Sequence, residues 1–456
     1  MFISSPVHSK FPVWRGVSSA LLAAALLAAT AMAQTSSPSQ IAQPASGPAR
    51  LTISLQDALE RARANSPQFQ SANIGALLAH EDRVQSKAAL LPSLNYFNQY
   101  IYTEGNGTPS GVFVANDGVH IYNSQAQVHG DLFAPGKRAD YKRAIAAEAM
   151  ARARAEVAAR GLVVTVVQSY YGLVAAERKL RYAQQSLREA QQFLDITQKQ
   201  EQGGESAHSD VVKAQIQLEQ RQRDAQEADL AVEKSRVGLA VLLFPDFQQD
   251  FDVVDDLADG SKLPAFPEVQ TLAAKNNPDI RAAQAEVEQE KWGVSSARSG
   301  YLPSLSFDYF FGIDGNQFAT ENHDGERLLG SVVQAQLTIP VWNWGATRSK
   351  LRQAQLHLQQ AKLDLSTTQR QLLANLNAFF QEAQTASSQV ASLSHSVDLS
   401  SESLRLTLLR YTAGEVTVLE VVDAQTTLAQ ARNAYADGLL RYRVALSDLQ
   451  TLTGSF

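Results

Sequence analysis

The sequence predicts a helix-dominated chain with a smaller β part, written twice in tandem. Three observations carry this reading. Paired markers recur about 210 positions apart. Heptads run unbroken along two long segments. Two pairs of stretches of about ten residues alternate apolar and polar side chains.

Composition bounds the rest. The 456 residues, 45% hydrophobic and 19% charged, suffice for two ordinary domains. A net charge of −6, with basic residues scattered along helical stretches, offers no face for nucleic acid. The absence of cysteine excludes disulfides and thiolate metal sites. His120 and His129 lie nine apart around a strand, and no pair of histidines has helical ligand spacing with a carboxylate partner, so no metal centre is expected. Ser209 follows His208 without a third group to orient them, and there is no phosphate-cradling glycine loop. The chain reads as a non-enzyme without a cofactor.

At the N-terminus, Lys10 and Arg15 precede the apolar run Val17–Ala29, and Ala31-Met32-Ala33 offers a small-x-small cleavage site. Residues 1–33 are expected to be a cleaved signal peptide, since the run is short for a membrane anchor. No cysteine follows, so no lipid anchor is expected. Residues 34–50, rich in Ser, Pro, Gln and Ala, read as a flexible leader. Beyond them no segment approaches ~20 consecutive apolar residues, so membrane entry would require a closed β-barrel.

The duplication pairs Asn65-Ser66-Pro67 with Asn276-Asn277-Pro278, and Leu91-Pro92-Ser93-Leu94 with Leu302-Pro303-Ser304-Leu305. Gly136, Gly204 and Arg236-Val237 likewise match Gly345, Gly414 and Arg443-Val444. This sets a first repeat at 51–245, a linker at 246–264 rich in Asp and turn residues, and a second repeat at 265–456. Each repeat is expected to run helix, two strands, long helix, tip, shorter helix. The first helices, Leu55–Leu90 and Val269–Gly300, stop at Leu-Pro-Ser, because proline disfavours helical geometry in the residue before it.

The strands follow. Leu305, Phe307, Tyr309, Phe311 and Ile313 point one way and Ser306, Asp308 and Gly312 the other, with Phe310 the exception. Val333, Ala335, Leu337, Ile339 and Val341 oppose Gln334, Gln336 and Thr338. Tyr122, Ala126, Val128 and Leu132 oppose Asn123, Gln125, Gln127, His129 and Asp131, and Ser93–Tyr102 is rich in aromatics. Such alternation suits a transmembrane barrel strand or a soluble sheet with one wet face. The long polar loops Glu104–Gly118 and Asn316–Glu326 fit the barrel. Four strands cannot close a barrel, and hydrocarbon tolerates no open edge, so membrane strands here would require an oligomer. The residues thus leave two readings, a membrane channel and a soluble periplasmic coiled-coil scaffold. The faces of Tyr122, Val128, Leu305, Phe307, Tyr309, Leu337 and Ile339 discriminate, meeting lipid in one and a core in the other.

The long helices carry leucines at steps of seven, from Val166 to Leu194 and from Leu351 to Leu393, with alanines at Ala176, Ala183 and Ala190 that permit close approach. Their length, about 96 Å from Lys137 to Gln200, matches the two shorter helices of a repeat laid end to end. Everything then converges on Tyr411–Gln425. There a leucine pattern enters, Gly414 interrupts, and a second helix leaves carrying Glu420 and Asp423. Gly204, Asp210 and Ala214-Gln215 repeat the arrangement. Two carboxylates in a helix's first turn also suit its dipole without further purpose.

An exported, duplicated chain with two strand pairs, heptad helices, Leu337-Thr338-Ile339-Pro340-Val341-Trp342 with Gly345, and Tyr411-x-x-Gly414 through Val421-x-Asp423-Ala424 resembles the TolC-like outer-membrane efflux proteins. The resemblance covers essentially all of 51–456. It implies a homotrimer whose chains give four strands each to a 12-stranded barrel in outer-membrane lipid. The helices would continue as an α-barrel of coiled-coil hairpins through the periplasm. It implies a passive exit duct of a tripartite efflux or type I secretion system, served by a periplasmic adaptor and an inner-membrane pump. By the same resemblance Glu420 and Asp423 form acidic rings at the periplasmic entrance, Tyr411 and Asp210 close the gate latch by a hydrogen bond between helical hairpins, and Ser209 is a polar tip position of that latch. Gly204, Glu205, Gly414 and Glu415 form tips for adaptor docking. Val416 stands where the best-known members have arginine, which removes the charged part of that latch.

Overall fold

A computed structural model describes residues 51–103, 120–246, 248–259 and 263–454. The expected signal peptide, the leader and the Glu104–Gly118 loop lie outside the described residues.

The first helix of each repeat is broken where the sequence reading carried it through. Helix α1 (Leu55–Asn65) gives way to α2 (Pro67–Ala88), and in the second repeat α5 (Phe266–Asn276) gives way to α6 (Pro278–Ser299). The cause is local. Pro67 and Pro278 occupy first helical positions, which need no amide hydrogen. Ser66 and Asn277 cap the new helices, accepting from the N–H of Phe69 at 3.3 Å and of Ile280 at 3.0 Å.

Strands β2 (Ser93–Tyr102), β3 (His120–Phe133), β5 (Ser304–Gly315) and β6 (Leu329–Thr338) form one antiparallel sheet in the order β2-β3-β5-β6. The register keeps the two faces distinct across all four. Val128 pairs Leu94 and Tyr309, Phe307 pairs Gly130 and Ala335, and Leu305 pairs Leu337, all on the apolar face. The other face carries Gln127, His129 and Asp308, where Asp308 accepts from Gln127 at 2.9 Å and meets His129 Nδ1 at 2.8 Å. Phe310, the exception in the alternation, sits on this polar face between Gln127 and Val332. Gly130 is required by close approach, because a Cβ there would lie 2.4 Å from the Phe307 ring.

Among the described residues no core covers the apolar face. Leu94 and Val333 are each 73% exposed and Leu337 59%. A soluble sheet buries such a face, so the scaffold reading loses its support. Strands β2 and β6 are the sheet's open edges among the described residues.

Each strand continues into a helix, and the helices keep the sheet's order, α2 against α3, α3 against α6, and α6 against α7. Helices α3 (Pro135–Gln202, 68 residues) and α7 (Ala346–Thr412, 67 residues) are each about 100 Å long. They return as α4 (His208–Leu243) and α8 (Val418–Thr453). On α7 the buried residues Leu376, Ala383, Leu404 and Tyr411 lie on a seven-residue step.

The 246–264 segment contributes to the interior midway along the rod of helices. Its strand β4 (Phe251–Val253) pairs in parallel with β1 (Leu51–Ile53). Both lie on fully buried Tyr170. The Tyr170 oxygen accepts from Val254 N–H at 3.1 Å and directs its hydrogen to the Ile53 and Val254 carbonyls. Arg178 and Arg181 clamp Asp255 with bonds of 2.6–3.0 Å. Burial opposes ionisation of that carboxyl, but the arginines win and hold it below the usual carboxylate range.

Candidate gate at the two hairpin tips

Both hairpins turn by one device. Gly204 (φ +79°) and Gly414 (φ +77°) adopt the left-handed conformation after their helices. The next N–H groups, of Glu205 and Glu415, reach back to the carbonyls of Gln200 at 2.8 Å and Arg410 at 3.0 Å. This satisfies orphan carbonyls as a Schellman turn does. Glu205 and Glu415 are exposed at the extreme ends.

The two tips are fastened together by an apolar cluster. Phe193 and Leu194 of α3, Val211 and Ala214 of α4, and Leu404 and Tyr411 of α7 meet Val418, Val421, Ala424 and Leu428 of α8. Val416, standing at the position of the missing arginine, packs at the cluster's margin. Tyr411 is 5% exposed and lies edge-on to Phe193, ring centres 5.2 Å apart.

The expected hydrogen bond between Tyr411 and Asp210 is not made here. The Tyr411 hydroxyl instead donates to Thr197 at 3.4 Å, and Asp210 takes Lys213 of its own helix at 3.1 Å. Thr197 is fully buried and gives its own proton to the Phe193 carbonyl at 2.9 Å. Ser209 is exposed beside Asp210. The sequence reading also missed Arg221 of α4 and Arg432 of α8, two buried arginines that tie neighbouring helices together. Buried Arg221 links α4 to Thr426 at 2.9 Å, and Arg432 links α8 to Glu189 at 3.3 Å.

Glu420 and Asp423 are brought together. Spaced by three, they share one exposed face of α8, opposite the buried stripe Val418, Val421, Leu428. Glu420 also accepts from the Thr417 N–H at 3.4 Å, completing the helix start. Neither carboxylate has a cation within ion-pair distance among the described residues. Both line a groove with Ser400, Ser403, Thr407 and Thr427. No group of metal-ligating side chains is found among the described residues.

A family profile described as outer membrane efflux protein matches residues 58–243 and again 269–455. The chain belongs to the outer membrane efflux protein family. The double match also establishes the internal repeat. Among relatives of this efflux protein is the alkaline protease secretion protein AprF of Pseudomonas aeruginosa, 22% identical, with 88% of this chain aligned to 84% of AprF. The outer membrane protein TolC of Vibrio cholerae is 24% identical over 87% of this chain and 89% of its own. Of solved structures, the Campylobacter jejuni CmeC outer membrane channel matches with a TM-score of 0.75 and 18% identity, over 88% of this chain and 85% of that one. The fold is therefore TolC-like.

Proposed function

We propose that this efflux protein is a passive exit duct of the outer membrane, closed at its periplasmic end by the hairpin tips and built as a homotrimer. The observation that carries this is the uncovered sheet. Among its described residues one chain presents an apolar face with no core and two unpaired edges, β2 and β6. Hydrocarbon accepts the first only if the second is removed. Joining β6 of one copy to β2 of the next does so, and three copies yield a twelve-stranded barrel, polar inside where Gln127, His129 and Asp308 lie. The α2-α3-α6-α7 layer then extends the wall into the periplasm.

At the far end, three copies of Glu420 and Asp423 ring the entrance. Uncompensated carboxylates at a narrow mouth create a focused negative potential and select cations. Tyr411 and its apolar cluster hold the tips, with Asp210 and Ser209 at the margin as polar partners in closure. Gly204, Glu205, Gly414 and Glu415 face a periplasmic adaptor, and an inner-membrane pump supplies the energy. The relatives' names support the setting, since they include a protease secretion protein and a cation efflux system protein.

Light scattering on the detergent-purified protein tests the assembly, together with carbonate washing of membranes. The reading expects three chains per particle and retention in the washed membrane. A monomer released by carbonate would overturn it.

A further inference from the structure

The helices leave the sheet through an unusual run of residues. Trp342 and Trp344, between β6 and α7, are 75% and 89% exposed, and Trp344 holds a positive φ of 54°. Just beyond them the charges turn one-sided. No acidic residue occurs between Glu326 and Asp364, whereas Arg348, Lys350 and Arg352 fall in the first two turns of α7. Helix α3 begins likewise with Lys137, Arg138, Lys142 and Arg143, and its Asp140 is engaged by the Ser296 hydroxyl at 2.6 Å.

Contacts fix which side these cations occupy. Lys137 pairs with Asp131, on the polar face of β3, and so marks the polar side of α3. Residues turn by about 100° each, which carries Arg138 and Lys142 toward the apolar side, where Lys142 lies over the Trp292 ring at 4.2 Å. On α7, Thr347 faces Gly300 and marks the flank against α6. The next steps of a right-handed helix take Arg348 and Arg352 to the apolar side and Lys350 to the polar one. Arg138, Arg348 and Arg352 are exposed and have no ion-pair partner among the described residues.

We propose that Arg138, Lys142, Arg348 and Arg352 form a belt that binds the headgroups of anionic phospholipids in the periplasmic leaflet, a surface that presupposes the membrane-inserted sheet argued above. The cations lie within about 10 Å of the helix starts, the depth of a headgroup layer below the hydrocarbon. Trp342 and Trp344 sit at its upper rim, where amphipathic rings anchor a membrane protein. Basic side chains at that level attract anionic lipid. The sheet's other end shows the contrast, with Glu321, Asp324 and Glu326 in its loop.

The test reconstitutes the full protein in membranes of phosphatidylethanolamine with a minority of phosphatidylglycerol and measures the lipid retained on extraction. The wild type is expected to retain phosphatidylglycerol above its bulk share. The Arg138→Gln/Lys142→Gln/Arg348→Gln/Arg352→Gln variant should lose that enrichment by at least about fivefold, the effect of one basic residue at an anionic surface. Arg138→Lys/Arg348→Lys/Arg352→Lys should keep it, and Arg348→Gln/Arg352→Gln supplies a milder variant should the quadruple one fail to insert. Equal enrichment in wild type and neutralised variants, both resistant to carbonate, would overturn the lipid belt and leave the duct standing. Wild-type protein released by carbonate would overturn both.

Discussion

The two hairpin tips share one turn, and they differ most sharply in charge and in the buried Tyr411 and Val418 of the second, which stand opposite Glu201 and His208 of the first. Each has its left-handed glycine, a backward hydrogen bond from the following glutamate, and a buried valine and alanine, Val211 and Ala214 in one, Val421 and Ala424 in the other. Asp210 and Lys213 of the first tip form an ion pair three residues apart. At the matching positions the second tip carries Glu420 and Asp423, two like charges. The comparison teaches that the turn and its valine-alanine contacts recur in both copies, while the charges of the first tip cancel locally and those of the second do not. A self-neutralised pair contributes nothing to a pore's field, and an unpaired one contributes all of its charge.

The comparison can be broken most forcefully at the shared cluster. Tyr411→Ala removes a buried ring from between the hairpins and should cost about 3–5 kcal/mol in denaturant unfolding, the usual range for a core aromatic. Tyr411→Phe keeps the ring and loses only a long hydrogen bond, so it should cost under about 1 kcal/mol. If both variants behaved alike, the tips would be held by the hydroxyl and the apolar clasp would be refuted.

The glycines sharpen the claim that the turns are equivalent. A Cβ at either Gly204 or Gly414 meets open space, so alanine there costs only the left-handed conformation. Gly204→Ala and Gly414→Ala should each destabilise by about 1–2 kcal/mol. Unequal losses, measured under one condition, would show that the copies turn under different constraints.

A smaller effect separates the tips from the mid-rod segment 246–264. Asp255 has a depressed carboxyl pKa in the fold, so its contribution is complete above the unfolded value of about 3.9 and fades as pH falls through the lower folded value. Melting profiles of wild type and Asp255→Asn should therefore differ above about pH 4 and converge below it. A gap that widened on acidification would contradict that sign.

Much of this was legible in the sequence, for physical reasons. Heptads located both long helices, and the expected span Lys137–Gln200 came within two residues of the ends of α3, because a supercoiled seam must repeat as long as the helices touch. Alternation located the strands and their apolar face, since a one-residue slip would turn every side chain over. The breaks at Pro67 and Pro278 were written in the residues before the prolines but yielded to the helical periodicity on either side. Strands β1 and β4 left no signal, because three residues have no period and their pairing joins distant parts of the chain. The choice of Thr197 over Asp210 by the Tyr411 hydroxyl was equally hidden. Helix geometry places Tyr411 at a tip, but only packing against Phe193 decides which oxygen it reaches.

The most direct measurement is ion selectivity in planar bilayers, with wild type compared against Glu420→Ala/Asp423→Ala. Small cation-selective conductance steps in the parent and loss of that selectivity in the variant are the predicted result. Conductance with unaltered selectivity would remove Glu420 and Asp423 from the entrance, and no conductance from either protein would contradict the duct itself.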